Sequence, residues 1–394
     1  MSDRFLEIAG KVRARQRLDA KDALFLFEYP DLPALGALAD MVRWRIHPEP
    51  VVTYVVGRNL NYTNVCWVRC KFCAFYRPPG DPEGYVLTRD QLGEKIQALV
   101  DVGGREVLFQ GGVNPQLKLD YYLDTFRWIK TNWDVHLHAL SPVEATYIAK
   151  ISGLSLEETL SKLRDAGLDT LPGAGGEILS DAVRKEISPL KDTSDDWIEV
   201  MRTCHRIGVR TSATMMYGSV ETPAQRVEHL ARVRDLQDET GGFNSFIPWS
   251  FIPDQTELSS VKRASGFDYL RTNAVARLFL DNVRNFQASW VTQGPKVAQI
   301  ALRFGVNDFG STVLEENVVS AAGGTHTMDL PEMIRLIEDA GFAAIPRDTN
   351  YTLRPAPSRE EIDARWGRHR ARTAALAAAE AGGAPALPGQ GATQ

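Results

Sequence analysis

Apolar residues change their spacing at about residue 50. Before it, Leu6, Ile8, Val12, Leu18, Leu24 and Leu35 recur at mixed helical intervals with charges between them, which predicts a helical segment over residues 1–50. After it, short β-rich runs alternate with amphipathic stretches. The runs 55–61, 106–110, 135–140, 169–172, 211–217, 244–249, 287–291 and 308–312 read as strands. Between them lie patterns such as 91–102, with Leu92, Ile96, Leu99 and Val100 on one face, and 224–237, with Val227, Leu230, Val233 and Leu236. Strands alternating with helices predict an α/β fold, a parallel (β/α)8 TIM-type barrel over residues 51–350. A six-stranded partial barrel with extra C-terminal pieces is the alternative. Residues 351–394 read as a C-terminal helix and tail. Within them 374–394, rich in Ala, Gly and Pro, reads as a fraying helix and then disorder.

Composition narrows the function classes. The chain has 394 residues, 44% of them hydrophobic, enough for a large core. Its net charge of -5 argues against a nucleic-acid partner, which needs a basic face. No stretch reaches the ~18 apolar residues of a membrane span. The first residues carry charges where a secretory leader has an apolar core. Of the four cysteines, three are clustered, which is not a disulfide framework, so a reducing cytoplasm is expected.

Those three, Cys66, Cys70 and Cys73, carry the most chemistry. Their C-x3-C-x2-C spacing suits three thiolate ligands of a cubane iron–sulfur cluster. With no fourth ligand nearby, one iron stays open to a small molecule. This arrangement, with an aromatic (Phe72) just before the third cysteine, resembles that of radical S-adenosylmethionine enzymes. The competing reading is a structural zinc site in a barrel without catalysis. Zinc takes four ligands, usually as two pairs, and no second pair accompanies the triplet. The cysteine loop follows the first predicted strand, and active sites of such barrels lie at the C-terminal ends of strands. Cys204, in a helical pattern, reads as an inert thiol.

The other strand ends supply further candidates. Gly111 and Gly112 follow the second strand, where glycine lets backbone approach a ligand; they are expected to hold the methionine amino group of the cofactor. His136 and His138 share one face of the third strand, His136 as a satisfied core residue and His138 nearer the mouth. Ser141 and Glu144 lie just beyond, as ligands of the cofactor or as the start of the next helix. After the fourth strand, Gly173, Gly175 and Gly176 lead to Glu177. Arg184 is placed to pair with the cofactor carboxylate, or is a surface helix charge. Ser289, Gln293, Asn307 and Thr312 offer hydroxyl and amide groups to a sugar–aromatic substrate.

Four segments together resemble the cyclic dehypoxanthinyl futalosine synthase family of radical S-adenosylmethionine enzymes. They are the Asn-Tyr-Thr-Asn lead of the cysteine loop, Asp-Glu-Thr-Gly-Gly-Phe (238–243), Gln-Ala-Ser-Trp-Val-Thr-Gln-Gly (287–294) and Asn-Asp-Phe-Gly-Ser-Thr with Glu-Glu-Asn (307–317). The resemblance runs from about residue 50 to 350. It implies a [4Fe-4S] cluster, S-adenosylmethionine, dehypoxanthine futalosine as substrate and a low-potential electron donor such as flavodoxin or ferredoxin. It further implies that a 5′-deoxyadenosyl radical takes the ribose C4′ hydrogen, that C4′ adds to the benzoate ring, and that one proton and one electron then leave. His138, Glu177, Asp308 and Glu315 are candidate proton acceptors, which the sequence does not rank. Aminofutalosine synthase and the deazaflavin-forming synthases are sibling readings.

Overall fold

A computed structural model describes residues 2–381. Among the described residues there are ten strands: β1 (Val51–Val55), β2 (Gly57–Leu60), β3 (Glu106–Phe109), β4 (His136–Ala139), β5 (Thr170–Leu171), β6 (Arg210–Tyr217), β7 (Phe243–Ser250), β8 (Asn285–Phe286), β9 (Asp308–Ser311) and β10 (Ala343–Pro346). β2 to β8 form one parallel sheet in sequence order, and β10, β1 and β9 form a second.

The two sheets are one barrel. β1 and β2 are consecutive halves of a single run, so β2 continues the second sheet into the first. At the other end Asn307 N donates to Phe286 O at 3.1 Å and Ala288 N to Asp308 O at 2.8 Å, joining β8 to β9. Thr312 N donates to Val55 O at 3.1 Å, joining β9 to β1. Eight parallel staves therefore close, as the alternating pattern predicts. β10 pairs with β1 from Val51↔Ala343 to Tyr54↔Pro346, below the start of β3, and was not foreseen. The residues after it fold under the barrel. Thr349 Oγ1 donates to Glu106 Oε2 at 2.6 Å, and Asn244 Nδ2 to Thr349 O at 3.1 Å. This segment floors the N-terminal end of the barrel.

One predicted strand is displaced. β8 occupies Asn285–Phe286, and the run 287–291 instead enters a short helix, Trp290–Gln293. Trp290 and Val291 suited a strand locally; Trp290 is buried with its indole N–H on Ser311 O at 2.9 Å, which holds the turn closed.

The helices follow their caps. Thr88 and Gln91 form a reciprocal cap before Arg89–Asp101, which buries Leu92, Ile96 and Leu99, while Val100 faces solvent. Thr222 and Gln225 do the same before Pro223–Thr240, which buries Val227, Leu230, Val233 and Leu236. Three N-terminal helices, Asp3–Arg13, Ala20–Glu28 and Leu32–Ile46, share the barrel's core cluster. The helix Arg359–Ala381 follows the floor segment; the remainder of the tail lies outside the described residues. No described helix is long and apolar enough to cross a membrane.

Candidate active site

β2 runs directly into the cysteine loop. The loop is held by backbone bonds at both ends: Cys66 N to Arg77 O at 2.8 Å, Lys71 N to Ile187 O at 2.9 Å and Cys73 N to Cys70 O at 3.1 Å. Cys66, Cys70 and Cys73 are half-buried free thiols at the C-terminal mouth. Burial pushes the Cys70 and Cys73 thiols up, and Cys66 and Cys73 lie near enough to act on Cys70 by charge. Enclosed thiolates of this kind call for a bound cation, and three of them suit three irons of a cubane. Among the described residues no three His, Cys, Asp or Glu gather to hold a single metal ion. Structural zinc takes four ligands on one ion, whereas a cluster spreads its ligands over several irons.

The glycine pair packs against this loop. A Cβ on Gly112 would meet Val65 O at 2.4 Å, and one on Gly111 would meet Thr63 O at 2.9 Å. Gly112 N donates to Thr63 O at 2.9 Å. The absent side chains admit the cysteine loop itself, a use the sequence reading assigned to the cofactor.

Glu144 ties the same region together. It accepts from the Tyr62 hydroxyl at 2.7 Å, the Ser141 hydroxyl at 2.6 Å and Gly111 N at 3.2 Å. Ser141 caps the helix Pro142–Ser152, so the pair is both helix start and brace of the cysteine loop. Burial pushes the Glu144 carboxyl up to about 7.

Beyond β5, Lys191 is the residue the sequence reading missed. Its ammonium donates to Glu177 Oε1 at 2.9 Å and lies 5.5 Å from the Phe72 ring centroid. Burial works against this ammonium, but Glu177 and Cys70 carry it above its ordinary range. No local pattern marks it, because residues 173–191 bring it back over the mouth only in three dimensions. Glu177 sits in a left-handed backbone conformation (φ 34°), and its Oε2 is buried without a hydrogen bond. Arg184 is buried rather than on the surface, yet it is not free for a cofactor carboxylate. Its guanidinium donates to Gly175 O, Gly176 O, Asp192 O and Asp192 Oδ1 at 2.7–3.0 Å, which uses all five N–H groups to lock the glycine loop.

The four candidate bases separate. Asp308 stands at the base of the barrel, where Arg347 donates to both its oxygens at 2.5 and 2.8 Å and Thr53 Oγ1 to Oδ2 at 2.5 Å. Glu315 is held by Arg58 and by Lys95 at 2.7 Å; burial raises its carboxyl, and these two cations more than reverse that. Both are structural ion pairs. Glu177 is committed to Lys191. His138 remains: Nδ1 bonds Thr170 Oγ1 at 2.7 Å, and Nε2 has no partner among the described residues. Burial pushes this imidazole down to about 3, so it is neutral.

His138 projects into a hollow. It alternates with the buried Leu137 and Ala139, which join the helix-facing core, and like Asn59, Leu108, Thr214, Ile247 and Gln287 on the other staves it is only half-buried. Ser289 and Gln293 sit at the mouth, Gln293 on Ser250 Oγ at 2.6 Å. Asn307 does not: it lies below β9, buried, with Arg277 on its Oδ1 at 2.7 Å. Thr312 is turned onto Gly57 O at 3.3 Å and away from the hollow.

Comparison with known proteins follows the same lines. Residues 60–233 match the Radical SAM superfamily, and residues 240–360 match the CofH/MqnC C-terminal region. The chain is 47% identical over 339 residues to the cyclic dehypoxanthine futalosine synthase of Halalkalibacterium halodurans, covering 86% of this chain and 92% of the relative. It is 41% identical to the 5-amino-6-(D-ribitylamino)uracil--L-tyrosine 4-hydroxyphenyl transferase of Methanopyrus kandleri, covering 76% and 84%. Methylornithine synthase has the same fold, with a TM-score of 0.69 at 17% identity over 86% of this chain and 97% of that one.

Proposed function

Because the chain belongs to the radical S-adenosylmethionine superfamily, in the family of cyclic dehypoxanthine futalosine synthases, we propose that it closes the carbocycle of cyclic dehypoxanthine futalosine. The observation that carries this reading is the set of three free thiols at the mouth of a half-open hollow. Cys66, Cys70 and Cys73 hold the [4Fe-4S] cluster. When bound, the cluster supplies the electron that cleaves S-adenosylmethionine to a 5′-deoxyadenosyl radical.

The chain's own work is positioning and exclusion. The ribose C4′ must lie beside the radical carbon, with the benzoate ring within bonding reach of C4′. Orientation of this kind supplies about 7 to 11 kcal/mol in favourable cases. Lys191, with one of three donors used, offers its remaining N–H groups beside Cys70 to an anionic cofactor group. Glu144, Tyr62 and Gly112 fix the cysteine loop. Ser289 and Gln293 rim the substrate hollow. After ring closure the aromatic ring loses one proton and one electron, and His138 Nε2 faces the hollow to accept the proton. The enzyme works in a reducing cytoplasm with a low-potential donor such as flavodoxin or ferredoxin, on a small molecule, without nucleic acid or membrane.

The test is anaerobic turnover of reconstituted protein with S-adenosylmethionine, dithionite and dehypoxanthine futalosine, read by mass spectrometry. A product two hydrogens lighter, with matching 5′-deoxyadenosine, is expected. 5′-Deoxyadenosine without that product moves the chain to a sibling reaction of the aminofutalosine or deazaflavin type.

A further inference from the structure

Two histidines and one hydroxyl form a continuous chain along the barrel wall. His138 Nδ1 lies 2.7 Å from Thr170 Oγ1, and His136 Nε2 lies 2.7 Å from the same oxygen. His138 faces the hollow. His136, two residues lower on β4, lines a cleft of about 950 Å3 at the opposite, N-terminal end of the barrel, together with Lys130, Asp134, Asp169 and Asp348. A hydroxyl has one proton, so Thr170 donates to one ring and accepts from the other. That is the arrangement a proton relay requires. Satisfying two core histidines needs no shared atom.

We propose that His138, Thr170 and His136 carry the proton lost on rearomatisation from the hollow to solvent at the floor of the barrel. The inference rests on the cyclase reading above. It resolves a conflict in that reading: the mouth must exclude water from a radical, yet a proton must leave. In the resting chain His138 Nδ1–H donates to Thr170 Oγ1, and the Thr170 hydroxyl donates to His136 Nε2. The C–H bond at the newly joined ring carbon breaks, and its proton passes to His138 Nε2. The Nδ1 proton moves to Thr170, the Thr170 proton moves to His136 Nε2, and the His136 Nδ1 proton leaves to water in the cleft. The C–H electron pair stays on the ring, and one electron leaves it for an oxidised iron–sulfur centre or external one-electron carrier, restoring the arene. The charged groups facing the relay are Arg347 at His138, and Asp169, Glu106, Lys130 and Asp348 at His136. Burial holds both rings below their ordinary range, so both enter the relay neutral.

Thr170→Val keeps the shape of the side chain and removes the hydroxyl. Cyclised product should form about a hundredfold more slowly, the scale of a positioned acid–base group, while 5′-deoxyadenosine still forms. The solvent deuterium isotope effect on product formation should change with it. Thr170→Ser should restore both. His136→Ala should be slow, and added imidazole, entering by the open cleft, should recover its rate. A wild-type enzyme that leaves dehypoxanthine futalosine unchanged overturns the cyclase reading and the relay with it. A wild type that cyclises beside a folded Thr170→Val of equal rate and equal isotope effect overturns the relay alone, as does a slow His136→Ala that imidazole leaves unrescued.

Discussion

The Lys191 ammonium donates to Glu177 Oε1 at 2.9 Å, with the two side chains only 6% and 5% exposed. The pair sits against Cys70 and Phe72, so a buried cation stands beside the cysteine loop. Lys191→Met leaves Glu177 with Arg184 at 3.7 Å as its nearest cation. Unfolding of the cluster-free protein in urea should show a loss of about 3 kcal/mol, the lower end for breaking a buried pair. A loss below about 1 kcal/mol would mean that Arg184 takes over the charge.

Cys70→Ala removes one of three cluster thiolates. Anaerobic reconstitution should then yield little iron or acid-labile sulfide and no visible thiolate charge-transfer absorbance. Wild-type iron content in this variant would exclude Cys70 as a ligand.

Gly112→Ala places a Cβ 2.4 Å from Val65 O, a backbone atom that cannot swing aside. The cysteine loop must shift, so cluster loading should fall while the far-ultraviolet circular dichroism stays unchanged. Full loading would show that the loop relaxes freely.

Glu144 gives stability a pH dependence. Burial raises its carboxyl from 4.5 to about 7. Between these values the folded state binds more protons than the unfolded one, so stability falls as pH rises from about 4.5 to about 7 and is level above. The contribution is about 3 kcal/mol, and Glu144→Gln should abolish it while keeping an acceptor for Tyr62. Parallel pH profiles of denaturant midpoints for the two proteins would contradict this.

Asp308→Asn leaves the buried Arg347 guanidinium without its anion. Stability should fall by about 3 to 5 kcal/mol. Where the variant still folds, 5′-deoxyadenosine should form normally, because Asp308 lies at the barrel floor. A folded variant of wild-type stability that stalls after ring closure would return Asp308 to the list of bases.

Local sequence determined the parts whose physics is local. Helical and strand periodicity located seven of the eight staves, because burial of one face imposes the period. The eighth was displaced because residues 287–291 mix small, polar and aromatic side chains in a short run equally suited to a helical turn. The cysteine triplet was legible because three thiols at fixed spacing within one loop need no distant partner. Roles that depend on distant partners were not legible. Asp308, Glu315 and Arg184 looked like free functional charges, and only folding brings Arg347, Lys95 and Asp192 onto them. Lys191 and the Thr170 bridge between two histidines likewise exist only once separate strands and loops meet. A side chain's chemistry is written in its residue type, but its protonation and availability depend on the charges and hydrogen bonds that folding places beside it.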